Sequence, residues 1–309
     1  MSGGLHWIVR EGDGATIAEV LAHAPEHARA AASEGRAFID GRRVLPTDLA
    51  RPGETLVIYE ARAADENVVR ILAHVGGLIV ADKPALLPTT PDRRGERSLI
   101  GEVARLLDVR AVHAASRLDV GVSGAVLCAI DETAQRHITD VREAGKLHRI
   151  YAGIAGASID GAGSWDAPIG RAPGGSGRSR PIVGGRDPEP ASTRFRAVAQ
   201  GRGAAPRTSS TLVRFEPITG RMHQIRVHAA AAGAPLIGDR EHGGARTLVD
   251  ARGSVHALHR IALHAVAVEL PSESGKRIRA VSPVPHELRA IWKTLDGDES
   301  AWETLAAPA

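Results

Sequence analysis

The stretch Ser116-Arg117-Leu118-Asp119-Val120-Gly121-Val122-Ser123-Gly124 leads directly into Ala125-Val126-Leu127-Cys128-Ala129-Ile130. A short apolar run behind a glycine-bearing turn reads as a buried strand. Asp119 then stands in a tight loop at the edge of a sheet. An Arg-x-Asp triplet by itself is more often a surface ion pair, so the weight of Asp119 depends on the rest of the chain. Further strand-like runs lie at 77–81, 149–155, 192–199 and 209–216, and helical spacing at 132–143 and 222–232, with Gly233 as a stop. Strands dominate and helices interrupt them irregularly. That pattern predicts an α+β domain with a mixed or antiparallel sheet, not a doubly wound parallel one. Residues 172–190, rich in Gly, Pro, Ser and Arg, read as an insertion loop.

Upstream lies a smaller unit. Ala15 to Ala24 carries helical spacing at Ile17, Val20 and Leu21, and a second short helix is expected near 26–34, stopped by Gly35. Ala37-Phe38-Ile39 reads as a strand and Asp40-Gly41 as a hairpin turn, because glycine accepts positive φ. Thr55-Leu56-Val57-Ile58-Tyr59 is another strand. The expected organisation is a small module over 1–60, a polar linker over 61–69, the main domain over 70–295 and a C-terminal tail over 296–309.

Composition excludes several classes. The single cysteine, Cys128, forbids an intrachain disulfide framework and a cysteine-based zinc site, and its setting is that of a small buried hydrophobe. No apolar run approaches the roughly 18 residues of a membrane span. The first residues lack the basic and apolar pattern of a signal peptide. A cytoplasmic location is therefore expected. Aromatics are 3% of the chain, too few for a sheet that binds RNA through rows of stacking rings. Net charge is only +3, yet nine arginines fall between Arg171 and Arg214 against Asp187 and Glu189 alone. Such a stretch is either a solvated basic loop or a phosphate-contacting surface.

Four segments carry chemistry. Ala81-Asp82-Lys83-Pro84-Ala85-Leu86-Leu87-Pro88 ends a strand, since Pro84 biases Lys83 towards extended backbone. The Asp119 stretch is the second. In the third, Leu147-His148-Arg149-Ile150-Tyr151-Ala152-Gly153-Ile154, strand alternation places Arg149, Tyr151 and Gly153 on one face. The fourth runs Thr219-Gly220-Arg221-Met222-His223-Gln224-Ile225-Arg226-Val227-His228 and on to Gly238-Asp239. Its polar start is unusual for a plain amphipathic helix and is expected to face something specific.

In this order the segments resemble the RluA-type family of pseudouridine synthases over roughly residues 70–290. Residues 15–59 more weakly resemble a small ribosomal-protein-type RNA-binding module. The resemblance implies that specific uridines of rRNA or tRNA are isomerised to pseudouridine. Asp119 would be the nucleophile, Tyr151 the ring on the flipped uracil, implicated in handling the proton at ring carbon five, Arg226 the cation paired with Asp119, and Arg117 the arginine that helps extrude the base. Lys83, Arg149, Arg221, His223 and Gln224 are expected to bind substrate. No metal or organic cofactor is needed, RNA is the partner, no membrane or obligate protein partner is implied, and a monomer is expected. The physics agrees: a nearby cation favours the charged form of a carboxylate, covalent catalysis divides a hard step, and a base must leave its stack before its ring can be reached. Ser116, Val122 and Met222 depart from the family's usual histidine and threonines, and Arg149 from its lysine. A catalytically degenerate RNA binder of the same fold is the alternative. A metal-dependent hydrolase built on His223, His228, His242, His256, His259 and His264 is the rival class. Its spacing is poor: five positions turn His223 and His228 away from each other on a helix.

Overall fold

The computed structural model describes residues 5–24, 37–40, 42–44, 48–58, 68–91, 97–173, 180–203, 209–250 and 253–305. The chain divides into two compact units, Met1–Glu66 and Asn67–Ala309.

In the first unit, α1 (Ile17–Ala22) is started by a capping box. Glu19 N–H donates to Thr16 Oγ1 at 3.4 Å, and Glu19 Oε2 accepts from Thr16 N–H at 3.0 Å. Strands β1 (Leu5–Ile8), β2 (Ala37–Ile39), β3 (Arg42–Arg43) and β4 (Thr55–Ile58) form an antiparallel sheet ordered β1-β4-β2-β3. Ile17, Val20 and Leu21 pack with Ile39, Leu56 and Ile58. Asp40 takes positive φ, 50°, in the β2–β3 turn. The helix expected near 26–34 lies outside the described residues.

The second unit opens with β5 (Arg70–Val75), β6 (Leu78–Lys83), α2 (Leu99–Leu107), β7 (His113–Ala114), β8 (Ser123–Ala129), α3 (Glu132–Glu143) and β9 (His148–Ala155). It continues through β10 (Ala162–Trp165), β11 (Ile169–Arg171), β12 (Pro181–Val183), β13 (Arg186–Glu189), β14 (Thr193–Arg202), β15 (Ser209–Pro217) and α4 (Gln224–Ala231). It ends with β16 (Thr247–Val249), β17 (Val255–Ala257), β18 (Leu263–Pro271), β19 (Arg277–Val281), α5 (His286–Thr294) and α6 (Ala301–Leu305).

The main sheet runs β10-β14-β15-β9-β18-β8-β6-β5, with β19 on β18 and β7 on β8. It is mixed, as expected, because β18 runs parallel to β8 while its other pairings are antiparallel. β8 lies inside the sheet, not at its edge, so the Asp119 loop stands at the end of a central strand. The parallel contact is tight. Gly124, at φ 117°, lies where a Cβ would strike the Ala265 backbone.

Both faces of the sheet are covered, which is why β8 reads as an unbroken apolar run. Val126 and Cys128 pack with Tyr151, Phe215, α2 and α4, whereas Ala125, Leu127 and Ala129 pack with α3. Burial pushes the Cys128 thiol up to about 12, as suits an inert core residue. Two expectations change. The 172–190 segment is not all loop: β11, β12 and β13 form a three-stranded antiparallel sheet. These strands are short and β13 is wholly exposed, so no hydrophobic alternation marked them. Residues 296–305 are not a loose tail, because Trp302 and Leu305 of α6 are buried with Trp292 of α5. Among the described residues no helix is long and apolar enough to cross a membrane.

Candidate active site

Asp119 is held by a turn: Val122 N–H donates to its carbonyl at 3.0 Å just before β8 begins. Its carboxylate, 29% exposed, meets Arg226 from the first turns of α4, whose Nη1 donates to Asp119 Oδ2 at 2.7 Å. Asp119 and Arg226, 107 positions apart in sequence, thus form one ion pair.

Arg226 is itself fixed. Its Nε and Nη2 donate to the two oxygens of Asp239 at 2.8 Å each, a bidentate fork, and Nη2 also reaches Glu241 Oε2 at 3.1 Å. Burial opposes the guanidinium charge, but the hydrogen bonds and charges of Asp239 and Asp119 outweigh it and raise the pKa above its ordinary value. Burial would likewise push the Asp239 carboxyl up, yet the Arg226 hydrogen bonds hold it below its ordinary value. Asp239 follows Gly238, at φ 80°, where a Cβ would strike the Arg260 carbonyl, so this close approach needs glycine. An open cleft alongside is lined by Gly121, Arg226, Asp239, Arg240, Glu241 and Ile261.

His223 caps α4 in a left-handed conformation, φ 53°. Its Nε2 lies 3.7 Å from Asp119 Oδ1, and its Nδ1 is 3.1 Å from His242 Nε2. Burial lowers the pKa of both imidazoles, although the surrounding carboxylates resist it. Tyr151 on β9 is almost fully buried. Burial raises its hydroxyl pKa, and the Asp119 charge adds to the effect, so the phenol stays protonated.

The other expected contacts divide. Arg117 is exposed on the Asp119 loop, and Arg221 is exposed, bonded to Pro190 O at 3.0 Å and paired with Glu189. Three residues make their contacts within the fold. Lys83 is fully buried, its Nζ donating to Pro84 O at 3.0 Å and Leu87 O at 2.7 Å. Gln224 is buried and saturated. It accepts from Thr219 Oγ1 at 2.6 Å and Arg221 N–H at 2.9 Å, and donates to Ser192 O at 2.8 Å and Thr193 Oγ1 at 3.0 Å. Arg149 donates to Pro217 O at 3.1 Å and Thr219 O at 2.8 Å, holding the turn that precedes α4. These three brace the site. Val122 is buried among the apolar residues around Tyr151, where a methyl group suffices, whereas Met222 is exposed.

Sequence reasoning missed Asp239 and Glu241 as site residues. The available signal was the Gly238-Asp239 pair after a helix carrying an arginine that burial obliges to find carboxylates. The rival histidines scatter: His228 bonds Thr193 and Ala167, His256 bonds Asp250, and His264, buried on β18, bonds Ser123 of the neighbouring β8. Only His223, Glu241 and His242, among the described residues, bring three ligand atoms within 4.8 Å of one another. Arg226 already occupies Glu241 there, at 3.1 Å.

Residues 77–231 match the family model described as RNA pseudouridylate synthase. Ribosomal large subunit pseudouridine synthase D of Xanthomonas campestris is 31% identical, the match covering 94% of this chain and 91% of the relative. The protein of the same name from Pseudomonas aeruginosa is 29% identical over 90% of this chain and 91% of the relative. Among solved structures, human RNA Pseudouridylate Synthase Domain Containing 1 shares the fold, with a TM-score of 0.57 at 20% identity over 71% of this chain and 85% of that one. The chain belongs to the RNA pseudouridylate synthase family, of the RluA type, and is an isomerase acting on uridine in RNA.

Proposed function

We propose that this enzyme isomerises specific uridines of ribosomal RNA, with Asp119 as nucleophile on a nucleotide turned out of its stack. The observation that carries the reading is the 2.7 Å bond from Arg226 to Asp119, made by a guanidinium that Asp239 holds in one orientation. The choice of ribosomal RNA rests on the relatives' names.

The reaction breaks the bond between the sugar and N1 of uracil and makes one from the same sugar carbon to C5. The C5 proton leaves and N1 regains a proton, so the change is redox-neutral. Asp119 supplies a carboxylate that forms and then releases a covalent adduct. Arg226 pairs with that carboxylate at 2.7 Å and fixes where its charge lies. Tyr151 packs its ring against the base and takes part in moving the C5 proton; burial, the main influence on its hydroxyl, favours the neutral phenol from which it starts. Arg117 stands exposed beside Asp119, where it enters the space the base leaves. The first unit is assigned an auxiliary RNA-holding role from its resemblance to a ribosomal-protein-type module. The chain is taken to act as a monomer in the cytoplasm.

The test is tritium release from a large-subunit rRNA transcript labelled at uridine C5. Wild type is expected to release tritium and Asp119→Ala to remain at background. Equal release from both proteins would sink the reading.

A further inference from the structure

A carboxylate on a loop is only as well placed as the backbone that carries it. Asp119 lies between two short anchors, and both run to the same segment, residues 84–89. On one side Thr89, itself buried, uses a single hydroxyl twice. It accepts from Leu118 N–H at 3.1 Å and donates to Leu118 O at 2.9 Å. On the other side Leu86 N–H donates to Val120 O at 2.6 Å. The residues before and after Asp119 are thus fastened to one strap.

The strap is rigid for reasons of its own. Lys83 Nζ ties Pro84 O and Leu87 O from below, at 3.0 and 2.7 Å. The carbonyls of Pro88 and Thr89 accept from Leu99 and Ile100 N–H at the start of α2, at 2.9 and 3.2 Å. Leu86 takes a left-handed conformation, φ 66°, which leucine rarely adopts and which persists only where the surroundings over-determine it. Its N–H is the group that reaches Val120. Nothing in the proposed chemistry uses Thr89, yet its hydroxyl meets both backbone polar groups of Leu118, the residue next to the nucleophile. A valine of similar volume would leave both of those groups buried and unmatched.

We propose that Thr89 is a positioning residue: its hydroxyl, bridging the N–H and carbonyl of Leu118, sets where the Asp119 carboxylate lies relative to Arg226 and the substrate. This rests on the reading of Asp119 as nucleophile. Small displacements of a reacting group cost up to about 10²-fold in rate, so the effect belongs in turnover and not in RNA affinity.

The experiment compares wild type, Thr89→Val, Thr89→Ser and Asp119→Ala for tritium release on the C5-labelled large-subunit rRNA transcript, with kcat and KM separated and urea midpoints measured. Thr89→Val is expected to lose about 10- to 100-fold in kcat with KM changed less than about twofold. Thr89→Ser, which keeps the hydroxyl, is expected to return to within about threefold of wild type. If Thr89→Val does not fold, Thr89→Cys replaces it. The thiol fills the space but bonds weakly, and a kcat loss of about fivefold or more is expected. A valine (or cysteine) variant with wild-type kcat overturns the proposal, as does a loss expressed wholly in KM, or a serine variant as impaired as valine. Wild-type release no greater than that of Asp119→Ala is a different result: it overturns the nucleophile reading and takes this proposal with it.

Discussion

Two polar clusters meet at the start of β8; burial opposes charge in both, and their partners turn the outcome in opposite directions. Around Arg226, opposite charges touch: one guanidinium faces Asp119, Asp239 and Glu241. Below the strand, hydrogen bonds pass through neutral groups. Arg260 Nη2 donates to Ser123 Oγ at 2.5 Å, Ser123 to His264 Nδ1 at 2.7 Å, His264 Nε2 to Ser282 Oγ at 3.1 Å, and Ser282 to Asp82 at 2.7 Å. The donors at each step fix His264 as the Nε2–H tautomer. Arg226 rises above its ordinary pKa because carboxylates surround it. Burial instead lowers Lys83 to about 7 and His264 to about 3, with the charge of Arg260 adding to both. The difference teaches that burial alone does not decide charge; the partner does. The upper cluster is a set of ion pairs around one guanidinium. The lower one runs from the Arg260 guanidinium through the neutral Ser123, His264 and Ser282 to Asp82, and it holds Ser123, four residues after Asp119.

The strongest break of that contrast is Arg226→Met. It strips the upper cluster of its cation and leaves the buried Asp239 carboxylate uncompensated. Removing one partner of a buried pair costs about 3–5 kcal/mol, so urea denaturation is expected to show a loss of that size together with tritium release at background. Arg226→Lys keeps a charge but not the fork, and is expected to recover more stability than activity. A methionine variant as stable as wild type would mean that the upper cluster is not charge-balanced in the way described.

The lower cluster is probed by acid. The folded pKa of His264, about 3, lies below the ordinary 6.5 of an unfolded chain. Between those values the unfolded state binds the extra proton, so stability falls as pH drops from about 6.5 towards about 3. At pH 5 the loss from this one group is about 2 kcal/mol, since each pKa unit is worth about 1.4 kcal/mol. Urea midpoints between pH 7 and 5 are expected to show that slope in wild type, and a shallower one in His264→Gln. Identical slopes in the two proteins would remove His264 from the account.

The two clusters were unequally legible in sequence. Asp119, Tyr151 and Arg226 stood in recognisable surroundings, and the mixed sheet followed from irregular strand and helix runs. Asp239 and Glu241 did not stand out, because only the turn after α4 carries them back, 13 and 15 positions on, to Arg226. Lys83, Gln224 and Arg149 were expected to meet RNA, yet a residue's type does not say which way it points. Each proves to satisfy backbone groups inside the fold. The truss around His264 was invisible for a related reason: Ser123 and His264 sit on two paired strands and Ser282 just past the end of a third, and only strand pairing brings them together. The strands of the β11–β13 sheet are too short, and β13 too exposed, to leave a periodic signature.

The strap beneath both clusters offers the mildest test. Leu86 is 60% exposed, so its side chain gains little from packing, while its left-handed backbone carries a cost of about 1–2 kcal/mol. Glycine removes that cost but adds about 0.5–1 kcal/mol of chain entropy to be lost on folding. Leu86→Gly keeps the N–H that reaches Val120 and is therefore expected to be unchanged or more stable by up to about 1 kcal/mol, with tritium release preserved. A clear fall in the urea midpoint would show that the leucine side chain holds the strap in place. Leu86→Ala, which keeps the Cβ but not the branched end, then separates packing from backbone: if alanine is as unstable as glycine the side chain matters, and if alanine is less stable than glycine the strain does.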